Sequence, residues 1–101
     1  MTAPRRVDGN SGELDAALKA VGIWYADTHE LGHGFPDRVT FNPRDGLFRL
    51  VEYKSEHGTF TGPERRFIAG CPGEVHVVRS IQDALRAHGM ETEGVQDAKA
   101  V

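Results

Sequence analysis

Apolar residues in this chain fall into seven short runs, each with its own spacing. Leu14, Ala17, Leu18 and Val21 recur at the three-and-four interval of one helical face, and Gly22 closes the run. Asn10 or Ser11 is available to cap its start. Residues 23–26 (IWYA) form a compact apolar run after that glycine and read as a strand. Residues 38–41 (RVTF) follow Pro36 and read as a second strand, ended by the turn sequence Asn42-Pro43-Arg44-Asp45-Gly46. Residues 47–53 (LFRLVEY) carry the strongest strand signal. Thr61 then caps a helix with Pro63 in its first turn and with Phe67 and Ile68 turned inward. Residues 74–79 (EVHVVR) make a further strand, and Ser80 caps a last helix with Ile81, Ala84 and Leu85 on one face. The predicted order is αβββαβα, a single-domain α/β protein.

Length and composition narrow the class. The chain has 101 residues, enough for one small core and too few for two. Its one cysteine, Cys71, cannot make an internal disulfide, so a disulfide-stapled scaffold is excluded and a reduced, cytoplasmic setting is expected. No apolar stretch approaches the roughly 18–20 residues of a membrane span, so no membrane partner is expected. The basic start MTAPRR has no apolar segment behind it, and no signal peptide is expected. Residues 1–10 are expected to form a loose arm, 11–89 the folded domain and 90–101 a disordered tail.

Charge at first argues against nucleic acid. The chain carries 12 Lys+Arg against 15 Asp+Glu, a net −3, whereas proteins that hold nucleic acid by bulk charge are usually basic. Setting aside the tail, with Glu91, Glu93, Asp97 and Lys99, leaves 11 basic and 12 acidic side chains in residues 1–89. The domain itself is close to neutral.

Two constellations could carry chemistry. His29-Glu30-Leu31-Gly32-His33 is a literal H-E-x-x-H, which on a helix binds Zn²⁺ through two histidines one turn apart, with the glutamate as general base. Glu52 lies where one class of zinc proteases has its third ligand. Gly32, Gly34 and Pro36 nevertheless oppose a helix through this segment, and the 47–53 run containing Glu52 reads as strand.

The second constellation is Pro36-Asp37 followed by Glu52-Tyr53-Lys54. Alternate strand residues share a face, so Glu52 and Lys54 project together while Val51 and Tyr53 face the other way. Antiparallel pairing across the Asn42–Gly46 turn can set the Asp37 carboxylate beside Glu52. Two carboxylates and an amine suit metal-dependent phosphodiester hydrolysis, with Mg²⁺ or Mn²⁺ on the carboxylates and Lys54 on the attacking water. Taken alone, Glu-x-Lys is as ordinary as any solvated strand face.

With these residues in order, the chain resembles the small stand-alone VRR-NUC proteins of phages and bacteria, within the PD-(D/E)XK nuclease superfamily. The resemblance runs from Val7 to Leu85. It includes Glu13-Leu14 with Leu18 and Gly22, then Gly32 through Asp37 (GHGFPD), Leu50 through Lys54 (LVEYK), Thr61 with Glu64 and Phe67, and Gly73 through Leu85. It implies a restriction-endonuclease-like fold, a central mixed sheet flanked by helices, and a dimeric nuclease related to Holliday-junction resolvases in a bacterial or phage-infected cell. It further implies that Asp37, Glu52 and Glu13 bind metal and that Lys54 is catalytic. The family usually has Gln in the helix after Glu-x-Lys, where this chain has Glu64 or Arg65.

The expected function is therefore a Mg²⁺- or Mn²⁺-dependent endodeoxyribonuclease acting on branched or structured DNA as a homodimer. Arg38, Arg65 and Arg66 are candidate phosphate contacts, and Trp24 and Tyr25 candidate core or dimer-interface residues. The alternatives are a zinc metallopeptidase through His29, Glu30 and His33, and a DNA-binding module that keeps the fold without turnover.

Overall fold

The computed structural model describes residues 10–90. The elements are α1 (Ser11–Ala20), β1 (Trp24–Asp27), a 3₁₀ turn (His29–Leu31), β2 (Arg38–Asn42), β3 (Leu47–Tyr53), α2 (Gly62–Gly70), β4 (Val75–Val78) and α3 (Ile81–Ala87). They form a small α/β domain around one mixed four-stranded sheet of order β1-β2-β3-β4. β1, β2 and β3 run antiparallel in turn, and β4 joins β3 in parallel after the α2 crossover. Among the described residues no helix is long and apolar enough to cross a membrane.

One face of the sheet holds the core. Leu14 and Leu18 from α1, Ile23, Val51, Tyr53, Val78 and Ala84 from α3 make one buried cluster, with Val21, Tyr25, Ala87 and Met90 packed against it. Val51 and Tyr53 point into it, as alternation along the strand requires. Ile23 belongs to this core ahead of β1, which starts a residue later than expected and extends to Asp27. The first turn of α2 meets the end of β3 where Glu64 accepts from Lys54.

Three local expectations are corrected. Asn10 stands at the α1 cap position but does not cap it; its amide donates at 3.4 Å to the carbonyls of Lys54 and Arg79. Met90 is packed on the core with its N–H on the Leu85 carbonyl, so the folded domain reaches it; the rest of the expected arm and tail lies outside the described residues. Ile81 opens α3 with 40% of its surface exposed, because the helix turns Ala84 and Leu85 to the core instead.

Polar burial ties the layers together. Arg38, only 4% exposed, lies beneath the sheet. Its guanidinium donates to both Asp15 carboxylate oxygens at 2.9 Å, to Asp27 at 3.0 Å and to the Asp37 carbonyl at 2.9 Å. It also lies over the Tyr53 and Tyr25 rings, at 4.9 and 5.8 Å from their centroids. Burial would disfavour its charge, but Asp15 and Asp27 raise its pKa overall. The Tyr53 hydroxyl donates to Asp15 at 2.7 Å. Arg38 is thus a structural cation, and the expectation that it contacts nucleic-acid phosphate is overturned by its burial and its two carboxylate partners. On the other side of the core, buried His88 donates from Nδ1 to the Ala84 carbonyl and accepts from the Thr40 hydroxyl at Nε2, each at 2.7 Å. That pattern needs the neutral imidazole, and burial keeps its pKa low.

Replacing Asp15 by alanine strips the guanidinium of its two-oxygen partner and the Tyr53 hydroxyl of its acceptor. The expected loss is about 3 kcal/mol, the range found when one member of a buried ion pair is removed. Urea unfolding followed by circular dichroism measures it.

Candidate active site

The site begins with strand register. β2 and β3 pair Arg38 with Val51, so one step further along the two strands Asp37 stands opposite Glu52. The approach to Asp37 is pinned from behind. The Thr28 hydroxyl donates to the Pro36 carbonyl at 2.7 Å, and the Thr28 N–H to the Asp37 carbonyl at 2.8 Å. The Asp37 carboxylate accepts the Tyr53 N–H at 2.9 Å, fixing it across the end of β3.

Glu52 is 3% exposed and Lys54 8%. The Lys54 N–H continues the parallel ladder onto the Val78 carbonyl. Its Nζ lies 3.5 Å from Glu52 and donates to Glu64 Oε1 at 2.8 Å, with the Phe60 ring centroid 5.4 Å away. Glu64 is held in turn by a capping box: the Thr61 hydroxyl accepts the Glu64 N–H, and Glu64 Oε1 accepts the Thr61 N–H. Asp37, Glu52, Lys54 and Glu64 therefore form one cluster, built from β2, β3 and the first turn of α2.

Its electrostatics are unbalanced. Burial, and then repulsion from Asp37 and Glu64, push the Glu52 carboxyl up to about 8, with Lys54 offsetting only part of this. Burial would also raise Glu64, but hydrogen bonds from Lys54 and the Thr61 N–H hold it below its ordinary value. At neutral pH the protein alone favours a neutral Glu52 and an ionised Glu64 paired to Lys54. Two facing carboxylates that repel one another are a donor set for a hard cation, which binds oxygen and keeps much of its coordination as water. The residues present therefore fit Mg²⁺ or Mn²⁺ through Asp37 and Glu52.

A three-carboxylate set is not assembled. Glu13 is exposed on α1 and has no hydrogen bond or ion pair among the described residues, and no group of three or more His, Cys, Asp or Glu among them is disposed to hold a metal. The helix needed for a zinc peptidase does not form either. Residues 29–31 make a single 3₁₀ turn, and Gly32, His33 and Gly34 follow with φ of 78°, 58° and 78°. The two histidines consequently do not share an α-helical face, and His29 Nδ1 lies 2.9 Å from Asp27 instead.

Two contributors have no role assigned from sequence. Glu64, which stands in the resemblance beside Thr61 and Phe67 and as a departure from Gln, is the direct partner of Lys54; its signal is the Thr61-x-x-Glu64 capping box. Arg79 donates to the Ser55 and Gly58 carbonyls at 2.8 Å and so pins the loop that carries Phe60; nothing local marks it. Arg65 and Arg66 are exposed on α2. No family model matches this chain, and neither a curated protein nor a solved structure matches it.

Because the folded-state pKa of Glu52 is raised, the stability tied to its proton is complete at acid pH and is lost as pH climbs through about 8. The melting temperature of metal-free protein is expected to fall between about pH 5 and about pH 9, and Glu52→Gln to remove most of that fall. Added Mn²⁺ should raise the melting temperature more at the alkaline end, where Glu52 is ionised, and not at all in Glu52→Gln. Differential scanning fluorimetry across that range measures both effects.

Proposed function

We propose that this protein is a divalent-metal-dependent endonuclease that hydrolyses phosphodiester bonds in DNA, with branched or structured DNA as its substrate. The observation that carries the reading is the β2–β3 register, which sets Asp37 across from Glu52 with Lys54 on the same side. The resemblance to VRR-NUC nucleases, which runs from Val7 to Leu85, includes these three residues.

In this reading Asp37 and Glu52 hold Mg²⁺ or Mn²⁺. The bound cation supplies Lewis acidity to the scissile phosphate and to a water beside it. Lys54, charged through its bond to Glu64, orients the attacking water and offsets negative charge growing on the phosphate. Glu64 acts through Lys54 by holding its ammonium beside Glu52. Where the family has a neutral amide, this chain has a carboxylate in an ion pair, which fixes the lysine more tightly and adds to the negative charge that a cation must offset. Arg65 and Arg66 remain available for phosphate.

The reading includes a homodimer, and the free end of the sheet supports it. Trp24, Phe41 and Phe48 stand opposite one another across three strands, so their side chains share a face. Trp24 and Phe48 meet edge to face at 6.4 Å, yet are 54% and 67% exposed, beside Leu47 at 54%. Exposed aromatic clusters of this kind mark interfaces more often than solvent-facing surface.

A labelled four-way junction and a linear duplex, incubated in Mg²⁺, Mn²⁺, Zn²⁺ or EDTA, test the activity. Junction cleavage is expected in Mg²⁺ or Mn²⁺, with a loss of about 100-fold or more in Lys54→Ala. Binding without cleavage in any metal would identify a non-catalytic module. The dimer is tested by analytical ultracentrifugation, where Phe48→Ser is expected to sediment as a monomer at concentrations that keep the unmodified chain dimeric.

A further inference from the structure

A groove of about 420 Å³ is lined by His33, Pro63, Arg66 and Phe67, residues that lie close in sequence to Asp37 or Glu64. Both of its walls lead into the carboxylate cluster. The His33 loop ends at Asp37, and the α2 turn carrying Pro63 contains Glu64. The two walls are locked together at Gly34, where a Cβ would collide with the Pro63 carbonyl, so only glycine lets the loop seat there. Phe35 from the loop meets the Phe67 ring edge to face at 5.2 Å. His33 itself is held in left-handed backbone, with φ of 58°, between two glycines of positive φ. Such backbone outliers cluster at binding sites.

The chemistry of the lining differs from that of its surroundings. Asp37, Glu52 and Glu64 make the neighbouring centre acidic, whereas the groove presents a guanidinium, an imidazole and an aromatic ring. Arg66 and His33 have no ion pair or hydrogen bond among the described residues. A cation beside a ring suits a nucleotide whose base is free to stack and whose phosphate needs a counter-charge. Paired bases in a duplex offer no such face. The volume lies within the range of small-ligand clefts.

We propose that this groove binds one unpaired nucleotide of the substrate strand beside the scissile phosphate, its base stacked on Phe67 and its phosphate on Arg66 and His33. The inference rests on the nuclease reading for the identity of the strand. Within structured DNA it favours substrates that present an unpaired nucleotide near the cleavage point, such as a flap, a bulge or a junction whose central pairs open.

Fluorescence anisotropy with the full chain in EDTA, where no cleavage intervenes, tests the groove with a short labelled oligothymidylate and a duplex of equal length. The oligothymidylate is expected to bind more tightly than the duplex. Arg66→Ala and Phe67→Leu are each expected to weaken its binding about five- to tenfold, and Arg66→Ala to reduce the salt slope by about 0.7. His33→Gly, which suits the left-handed backbone, is expected to weaken binding while leaving the melting temperature unchanged or higher. Arg65→Ala, on the same helix but outside the groove, serves as the charge control and is expected to lose less than Arg66→Ala. Unchanged binding in Arg66→Ala and Phe67→Leu, or an equal loss in Arg65→Ala, overturns the proposal. Metal-dependent cleavage with unchanged binding in the groove variants would remove the groove and keep the nuclease. Variant-sensitive oligothymidylate binding with no cleavage in any metal would do the reverse.

Discussion

A buried guanidinium organises this small domain. Arg38 reaches Asp15 on α1, Asp27 on β1 and the Asp37 carbonyl at the entry to β2, while Tyr53 on β3 closes the ring by donating to Asp15. Four elements are joined through one side chain. The residue before it in sequence is Asp37, so the network that anchors the helix layer also sets where β2 begins. That starting point decides which residue of β3 faces Asp37. A shift of one residue would turn the carboxylate to the opposite face of the sheet. The ion pairs thus act on the site through geometry, from the side of the sheet that the candidate chemistry does not use.

The opposite face carries an electrostatic debt that the core does not share. Arg38 is matched by two carboxylates, whereas Lys54 faces Glu52, Glu64 and, beyond Glu52, Asp37. One cation among three acids leaves the innermost carboxyl to take up a proton at neutral pH. A protein under selection for stability alone has easier ways to fill such a position, because a buried acid with incomplete pairing is destabilising. Beside a fixed lysine, this imbalance is the feature on which the proposed cation site rests. It also bears on the acidic composition: acids concentrated where a cation can neutralise them weigh less against a polyanionic partner than acids spread over the surface.

Much of this was legible in the chain because it depends on local rules. Alternation along LFRLVEY separates Val51 and Tyr53 from Glu52 and Lys54 without reference to any other residue, and Thr61 with Pro63 announces α2 by its capping chemistry. The turn Asn42–Gly46 between two strand-like runs fixes their antiparallel order. What escaped depends on partners remote in sequence. Arg38 at a strand start reads as a surface cation; its burial follows from Asp15, 23 residues away, and nothing near Arg38 signals that pairing. Asn10 looks like a helix cap because the cap position and composition agree, yet its amide is drawn to Lys54 and Arg79 across the fold. The H-E-x-x-H string fails for the reverse reason. Its residue types match a zinc helix, but Gly32 and Gly34 take left-handed backbone that an α-helix cannot accommodate.

The same glycines give the failed motif its structural use. Left-handed backbone from Gly32 to Gly34 reverses the chain tightly enough for Gly34 to lie against the Pro63 carbonyl, and that contact sets the loop against the first turn of α2. From there the chain has three residues in which to reach Asp37, with Phe35 edge to face against Phe67 and Pro36 held by Thr28. The Asp37 wall and the Glu64 wall are therefore braced by glycine sterics and one aromatic contact in addition to the Lys54 ion pairs. An acidic centre needs such external bracing, since its own charges would push the walls apart. The segment GHGFP provides it without an ion pair: Gly32 and Gly34 take the positive φ, Gly34 allows the close approach, the phenylalanine supplies the packing and the proline is held at the entry to β2.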